Sequence, residues 1–270
     1  MGSACSACRN PPPPSVRSAN RGYSCPRENP KRVIVASLDD RRTNVSDALL
    51  PVRVWDLPTR LFHWVLAGCV IFSIASGYIG GNAMVWHLRS GYVIFTLLAF
   101  RLLWGLVGGH WSRFASFIYP PQTVLRYLRG ESRSDEHHDV GHSPLGSLSV
   151  FGLLVLLAAQ VGSGLFADDE ISTTGPLVKF VSGATSSLLT KWHSVFGRRL
   201  IVVLALLHVA AITFYLLARK RNLVRPMIVG DKPLPAGIPA SADHWRVRSL
   251  AALLLALCAG GVAWLVSLGS

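Results

Sequence analysis

Apolar residues gather in five blocks, at 61–80, 85–107, 146–167, 193–218 and 249–268. Each is close to the roughly 20 residues a helix needs to cross a bilayer. The only break between the first two blocks is a few residues around Gly80, Gly81 and Asn82, which predicts an antiparallel hairpin. Pro58 suits a first helical turn, with Asp56 as the cap just before it. Residues 108–144 read as a loop with a short amphipathic piece at 123–129. Residues 168–191 read as a second loop, whose apolar stretch 177–181 lies on the membrane surface or covers the bundle mouth. Residues 219–248 form a basic, proline-bearing linker. Residues 1–50 are polar, basic and proline-rich without periodicity, a disordered composition with no apolar core of a secretory signal. The expected organisation is an extension at 1–50, a transmembrane domain at 51–232, and a linker with a fifth helix at 233–270. Val45 is the expected true start of translation, because a GTG codon can initiate.

Composition supports a membrane protein. Of 270 residues, 50% are hydrophobic and 15% are charged, against about 25% charged in a soluble domain. The net charge of +13 is a topology signal and not one for nucleic acid. Ten Lys and Arg precede the first block, four lie between the second and third, and seven between the fourth and fifth. The opposite loops hold only Lys179 and Lys191, beside Asp168, Asp169 and Glu170. By the positive-inside rule the N-terminus is cytoplasmic and the C-terminus, after five spans, is periplasmic. Cys5 and Cys8 are followed by Arg9, not His, so this is no c-type haem attachment site.

Four histidines fall inside the blocks: His63, His87, His193 and His208. An ionisable side chain in hydrocarbon is costly and marks function. The first block runs outward, so His63 lies near the cytoplasm; the second and fourth run inward, so His87 and His193 lie near the outside. His208 follows His193 by 15 residues, about 22 Å deeper and within roughly 60° of the same face. His87 therefore matches His193 in depth, and His63 matches His208. Such pairs point to the axial ligands of two haems. The third block has no histidine and is expected to be a wall helix. Gly91 and Gly197 sit four residues after their histidines and are expected to make room for a macrocycle. Haem propionates need cations. Arg101, about 21 Å inward of His87, suits the inner site; Arg89, Arg198 and Arg199 lie near the outer one. His110 follows Gly108 and Gly109 at a helix end, and His244 falls in a linker; His137, His138 and His142 sit in a polar loop with Asp135, Glu136 and Asp139, which reads as a solvated charged loop in preference to a metal site.

Several motifs, in order, resemble the bacterial cytochrome b-561 family, which includes the b-type subunit of nickel-iron hydrogenases. They are Val54-Trp-Asp-Leu-Pro-Thr-Arg-Leu-Phe-His-Trp64, His87 with Gly91-Tyr92, Phe100-Arg-Leu-Leu-Trp-Gly105, Trp192-His193 with Gly197, Leu207-His208, and Asn222-Leu-Val through Gly230-Asp-Lys232. The resemblance covers residues 52–232. It implies an all-α, integral membrane four-helix haem-binding bundle, here with a fifth C-terminal transmembrane helix. It also implies two haem b per chain, His63 with His208 and His87 with His193, in a bacterial inner membrane. A bis-histidine iron has no open position, so it shuttles electrons. The expected partners are quinone or quinol, a periplasmic c-type cytochrome or hydrogenase-like enzyme, and membrane lipid. Three alternatives stay open: a membrane anchor of a hydrogenase, a quinone reductase oxidising a small external donor such as superoxide, and a non-redox transporter or scaffold.

Overall fold

The computed structural model describes residues 49–131, 140–171 and 173–269. The expectations for residues 1–48, and those for His137 and His138, fall outside these. Among the described residues, five helices are long and apolar enough to cross a membrane: Leu57–Ile79, Gly81–Val107, Pro144–Gly164, Gly183–Leu217 and Trp245–Ser267. The protein is all-α, with one small sheet among the described residues, and it is a multi-pass membrane protein.

Local chemistry sets the helix ends. The first helix, α1 (Leu57–Ile79), starts where Asp56 Oδ1 accepts from Thr59 N at 2.8 Å and Pro58 fills the first turn. It stops at Gly80, whose φ of +66° only glycine adopts freely. After one short turn α2 (Met84–Val107) returns antiparallel. A surface helix, α3 (Pro121–Arg129), occupies the expected amphipathic piece. Ser143 caps α4 (Pro144–Gly164). The loop expected over 168–191 is shorter: Ser182 caps α5 (Gly183–Lys191). That helix is polar enough to escape a hydropathy pattern. It runs through a π-helical turn, Trp192–Gly197, into α6 (Arg198–Leu217). The linker is also more ordered than expected, with α7 (Val224–Val229) ahead of the last span, α8 (Trp245–Ser267).

Three apolar clusters stack along the bundle. Ile94, Leu98, Leu157 and Ile201 fill the middle between α2, α4 and α6. Phe62, Leu97, Phe100, Trp104, Ala251 and Cys258 join α1, α2 and α8. Val54, Trp55, Val140 and Leu234 form a cap below the helices. At that end β1 (Leu50–Arg53) pairs antiparallel with β2 (Asp231–Leu234), Arg53 opposite Asp231. Asp243 ties the start of α8 to the same end, accepting from Arg53 Nη1 at 2.7 Å, Leu57 N at 3.1 Å and Arg248 Nε at 3.1 Å. Burial would raise the Asp243 carboxyl; the bonds from Arg248 and Leu57 and the charge of Arg53 bring it below the ordinary carboxylate value. This is the sheet end of the bundle; the hairpin turn and the 165–182 loop mark the loop end.

Candidate cofactor site

Two histidine pairs meet inside the bundle. Near the loop end, α2 presents His87 and the π-helical turn presents His193, with ring centroids 5.8 Å apart. Their Nε2 atoms face each other at 3.5 Å. Each Nδ1 is already committed: His87 Nδ1 to Ser73 O at 2.8 Å, and His193 Nδ1 to Gln160 O at 2.8 Å. A carbonyl only accepts, so Nδ1 carries the proton in both rings. In the neutral imidazoles both Nε2 atoms then present lone pairs, and neither can donate to the other. A shared electrophile satisfies both.

Backbone space makes this arrangement fit. A Cβ at Gly77 would meet His87 Nδ1 at 3.0 Å, and one at Gly164 would meet His193 Cε1 at 2.7 Å. Only glycine admits the rings there. Gln160 Nε2 also donates to His193 O at 2.8 Å, so α4 and the π-helical turn are locked reciprocally. π-turns inside helices occur often at functional sites. The expected wall helix, α4, therefore supports the site with Gln160 and Gly164. The missed supports Ser73, Gly77, Gln160 and Gly164 are faint in sequence: Gln160 is a lone carboxamide in an apolar span, and the glycines show no pattern.

The pair borders a cavity lined by Gly77, Gly91, Gln160, Gly164 and Arg198 among others. A Cβ at Gly91 would meet nothing within 4 Å, so Gly91 borders open space. Gly197 differs from expectation. A Cβ there would run into Gln160 Oε1, so its lack of side chain admits Gln160 and opens no space for a macrocycle. Arg198 lies over the Tyr78 ring at 4.2 Å, and its Nε is buried without a partner among the described residues. Arg89 and Arg199 are exposed and do not line the cavity; Arg89 lies over Trp86 at 5.0 Å. Helical rotation of about 100° per residue explains both: Arg89 is two residues past His87, and Arg199 is one past the inward Arg198.

Toward the sheet end, α1 presents His63 and α6 presents His208, with centroids 6.5 Å apart. His63 Nδ1 is buried without a partner among the described residues. Arg101 is 2% exposed and donates from Nη1 to Ser112 O at 3.0 Å. Its guanidinium lies 4.7 Å from the Phe114 ring centre and 6.0 Å from that of Phe62. His142 packs between Trp55 and Phe117 at 4.7 and 4.4 Å. Burial, and then the charge of Arg101, push it down to about 3.

The donor set suits haem iron. Imidazole–metal bonds are about 2 Å, the length seen with zinc, so the 3.5 Å separation is close to the roughly 4 Å that two such bonds in line require. Among the described residues no group of three or more His, Cys, Asp or Glu converges as a metal site. The histidines meet in twos, which fits an iron whose remaining bonds come from a flat macrocycle. The Nδ1–carbonyl bonds fix tautomer and ring orientation, the usual support of a metal-bound imidazole.

Residues 54–230 match the family described as prokaryotic cytochrome b561. A probable Ni/Fe-hydrogenase B-type cytochrome subunit of Azotobacter chroococcum is 28% identical over 223 residues, covering 66% of this chain and 87% of the relative. The protein of the same description from Bradyrhizobium diazoefficiens is 24% identical, covering 67% and 85%. The probable Ni/Fe-hydrogenase 1 B-type cytochrome subunit of Escherichia coli K12 is 23% identical, covering 55% and 77%. No solved structure matches. With the family match spanning most of the described bundle and both histidine pairs inside it, the chain belongs to the prokaryotic cytochrome b561 family, the membrane b-type cytochromes of electron transport.

Proposed function

We propose that the chain carries electrons across the bacterial inner membrane between a periplasmic redox partner and the quinone pool, through two haem b groups. His87 and His193 hold one; His63 and His208 hold the other. The observation that carries this is the opposed Nε2 pair of His87 and His193, with both Nδ1 atoms bound to carbonyls. When bound, haem b supplies one-electron exchange at its iron, with no open position for oxygen. The chain's residues hold and orient it. Gly91 leaves room, Arg198 offers an unpartnered Nε to a propionate, and Arg101 places a buried cation near the second pair. The basic sheet end faces the cytoplasm by the positive-inside rule, so His63 and His208 form the inner pair.

The relatives' descriptions as hydrogenase subunits support a nickel-iron hydrogenase as the external partner, with this chain as its haem-bearing anchor. The test of transfer uses purified protein in lipid vesicles. Addition of a quinol, or of a quinone after dithionite reduction, should change the haem absorbance within seconds. If dithionite reduces the haems but no quinone or quinol exchanges electrons with them, the quinone role is rejected.

A further inference from the structure

Asp56 does more than cap α1. It is 0% exposed, and every partner donates to it. Oδ1 accepts from Thr59 N at 2.8 Å and from Trp104 Nε1 at 3.2 Å. Oδ2 accepts from Gly109 N at 3.1 Å and from Ser112 Oγ at 2.7 Å. The Ser112 hydroxyl itself receives a bond from Thr59 Oγ1 at 2.8 Å, so its own proton points to Asp56. A carboxylate surrounded only by donors is the ionised, acceptor-only form. A helix cap needs only the Thr59 bond. The other three partners come from α2 and the segment after it, some 48 to 56 residues away in sequence.

The same Ser112 accepts Arg101 Nη1 at its carbonyl, at 3.0 Å. Arg101 makes no ion pair among the described residues, and the buried anion Asp56 bonds the same Ser112 through its hydroxyl. One buried anion and one buried cation thus share Ser112, at the end of the bundle that holds His63 and His208. Thr59, inside the network, lies one turn before His63 on α1, while Arg101 is on α2 with Trp104.

We propose that Asp56 is a positioning residue for the inner haem: through Ser112 it fixes Arg101 and supplies the counter-charge that offsets it, so the pair together set that haem's potential. This rests on the haem assignment above. Reduction adds an electron. A nearby cation favours the reduced state and a nearby anion opposes it. Removing Arg101 should lower the inner midpoint, and removing Asp56 should raise it. Removing both restores near-neutrality and avoids an uncompensated buried charge.

The test is a spectroelectrochemical titration of the purified holoprotein. Wild type should show two haem waves, and His63→Ala should delete the inner one. In Asp56→Asn the inner wave should move up while the outer wave stays. Arg101→Leu should move the inner wave down. Asp56→Asn/Arg101→Leu should return it close to wild type, and Asp56→Glu should lie closer to wild type than Asp56→Asn. If Asp56→Asn alone does not assemble, comparing Arg101→Leu with the double variant still reads the field of Asp56; the double variant must titrate higher. A single wave in wild type, or two waves untouched by His63→Ala, would overturn the haem assignment and the proposal with it. With that assignment intact, an inner wave that does not move in Asp56→Asn, or a double variant that titrates no higher than Arg101→Leu, would overturn the proposal alone.

Discussion

The two histidine pairs are held in different ways. At the loop end both imidazoles are pinned from behind by carbonyls at 2.8 Å, and two glycines admit them. Charge there is sparse: Arg198 and Asp169 line the cavity, and Arg89 and Arg199 do not. At the sheet end His63 Nδ1 has no partner among the described residues, but a buried Asp56–Ser112–Arg101 network lies close by. On the proposed haem assignment, one haem is tuned through its ligands and the other through its surroundings. Outer-shell hydrogen bonds raise ligand basicity, and a more basic ligand favours oxidised iron. The loop-end haem should therefore have the lower midpoint.

The largest effects should break one layer and spare the other. His87→Ala or His193→Ala should remove the outer haem and halve the haem content; His63→Ala or His208→Ala should do the same to the inner one, with a distinguishable spectrum. If His63 and His193 variants lost the same haem, the pairing would be wrong.

Gly164→Val should come next. Its Cβ would sit 2.7 Å from His193 Cε1, and overpacking costs about 1–3 kcal/mol. Loss of outer-haem affinity by about tenfold or more is expected, with the inner haem retained, by haem titration of the apoprotein. Equal loss of both haems would show that the glycine serves the whole bundle.

Gln160→Leu should act more weakly. It removes the 2.8 Å bond to His193 O, worth about 1 kcal/mol. Several-fold weaker outer-haem binding is expected in the same titration, again without change at the inner pair.

The smallest effect concerns pH and the sheet end. His142 is held at about 3 by burial and by Arg101, below its ordinary value near 6.5. It stays neutral in the folded protein while the unfolded chain takes up a proton below about pH 6.5. Stability should then fall as pH drops from 6.5 toward 3. His142→Phe should flatten that slope in denaturation curves at pH 7 and 5. An unchanged slope would place the acid sensitivity elsewhere.

Much of this was legible in the sequence because it depends on length and rise alone. The five spans follow from apolar length, and the pairing of His87 with His193 and of His63 with His208 follows from helix direction and residue count. What was hidden depends on which helix lies beside which. Gly77 and Gly164 matter only because an imidazole from another helix approaches them. Gln160 matters because its own carbonyl and amide reach a π-helical turn that no propensity signals. The offset of Gly197 looked equivalent to that of Gly91, yet the π-helical turn and α4 give it another neighbour. β1 and β2 are four residues each and carry Pro51 and Pro233, which suppress any strand pattern. Asp56 was recognisable as a cap from Pro58, but its reach to Trp104, Gly109 and Ser112 belongs to the folded protein.

The central claim is two haems in two layers of one chain. A pyridine haemochrome assay of purified wild-type protein, with haem expressed per polypeptide, tests it most directly. Two haem b per chain, all of it extracted by acidic acetone, is the expected result. A ratio near one, or haem that stays with the polypeptide, would contradict it.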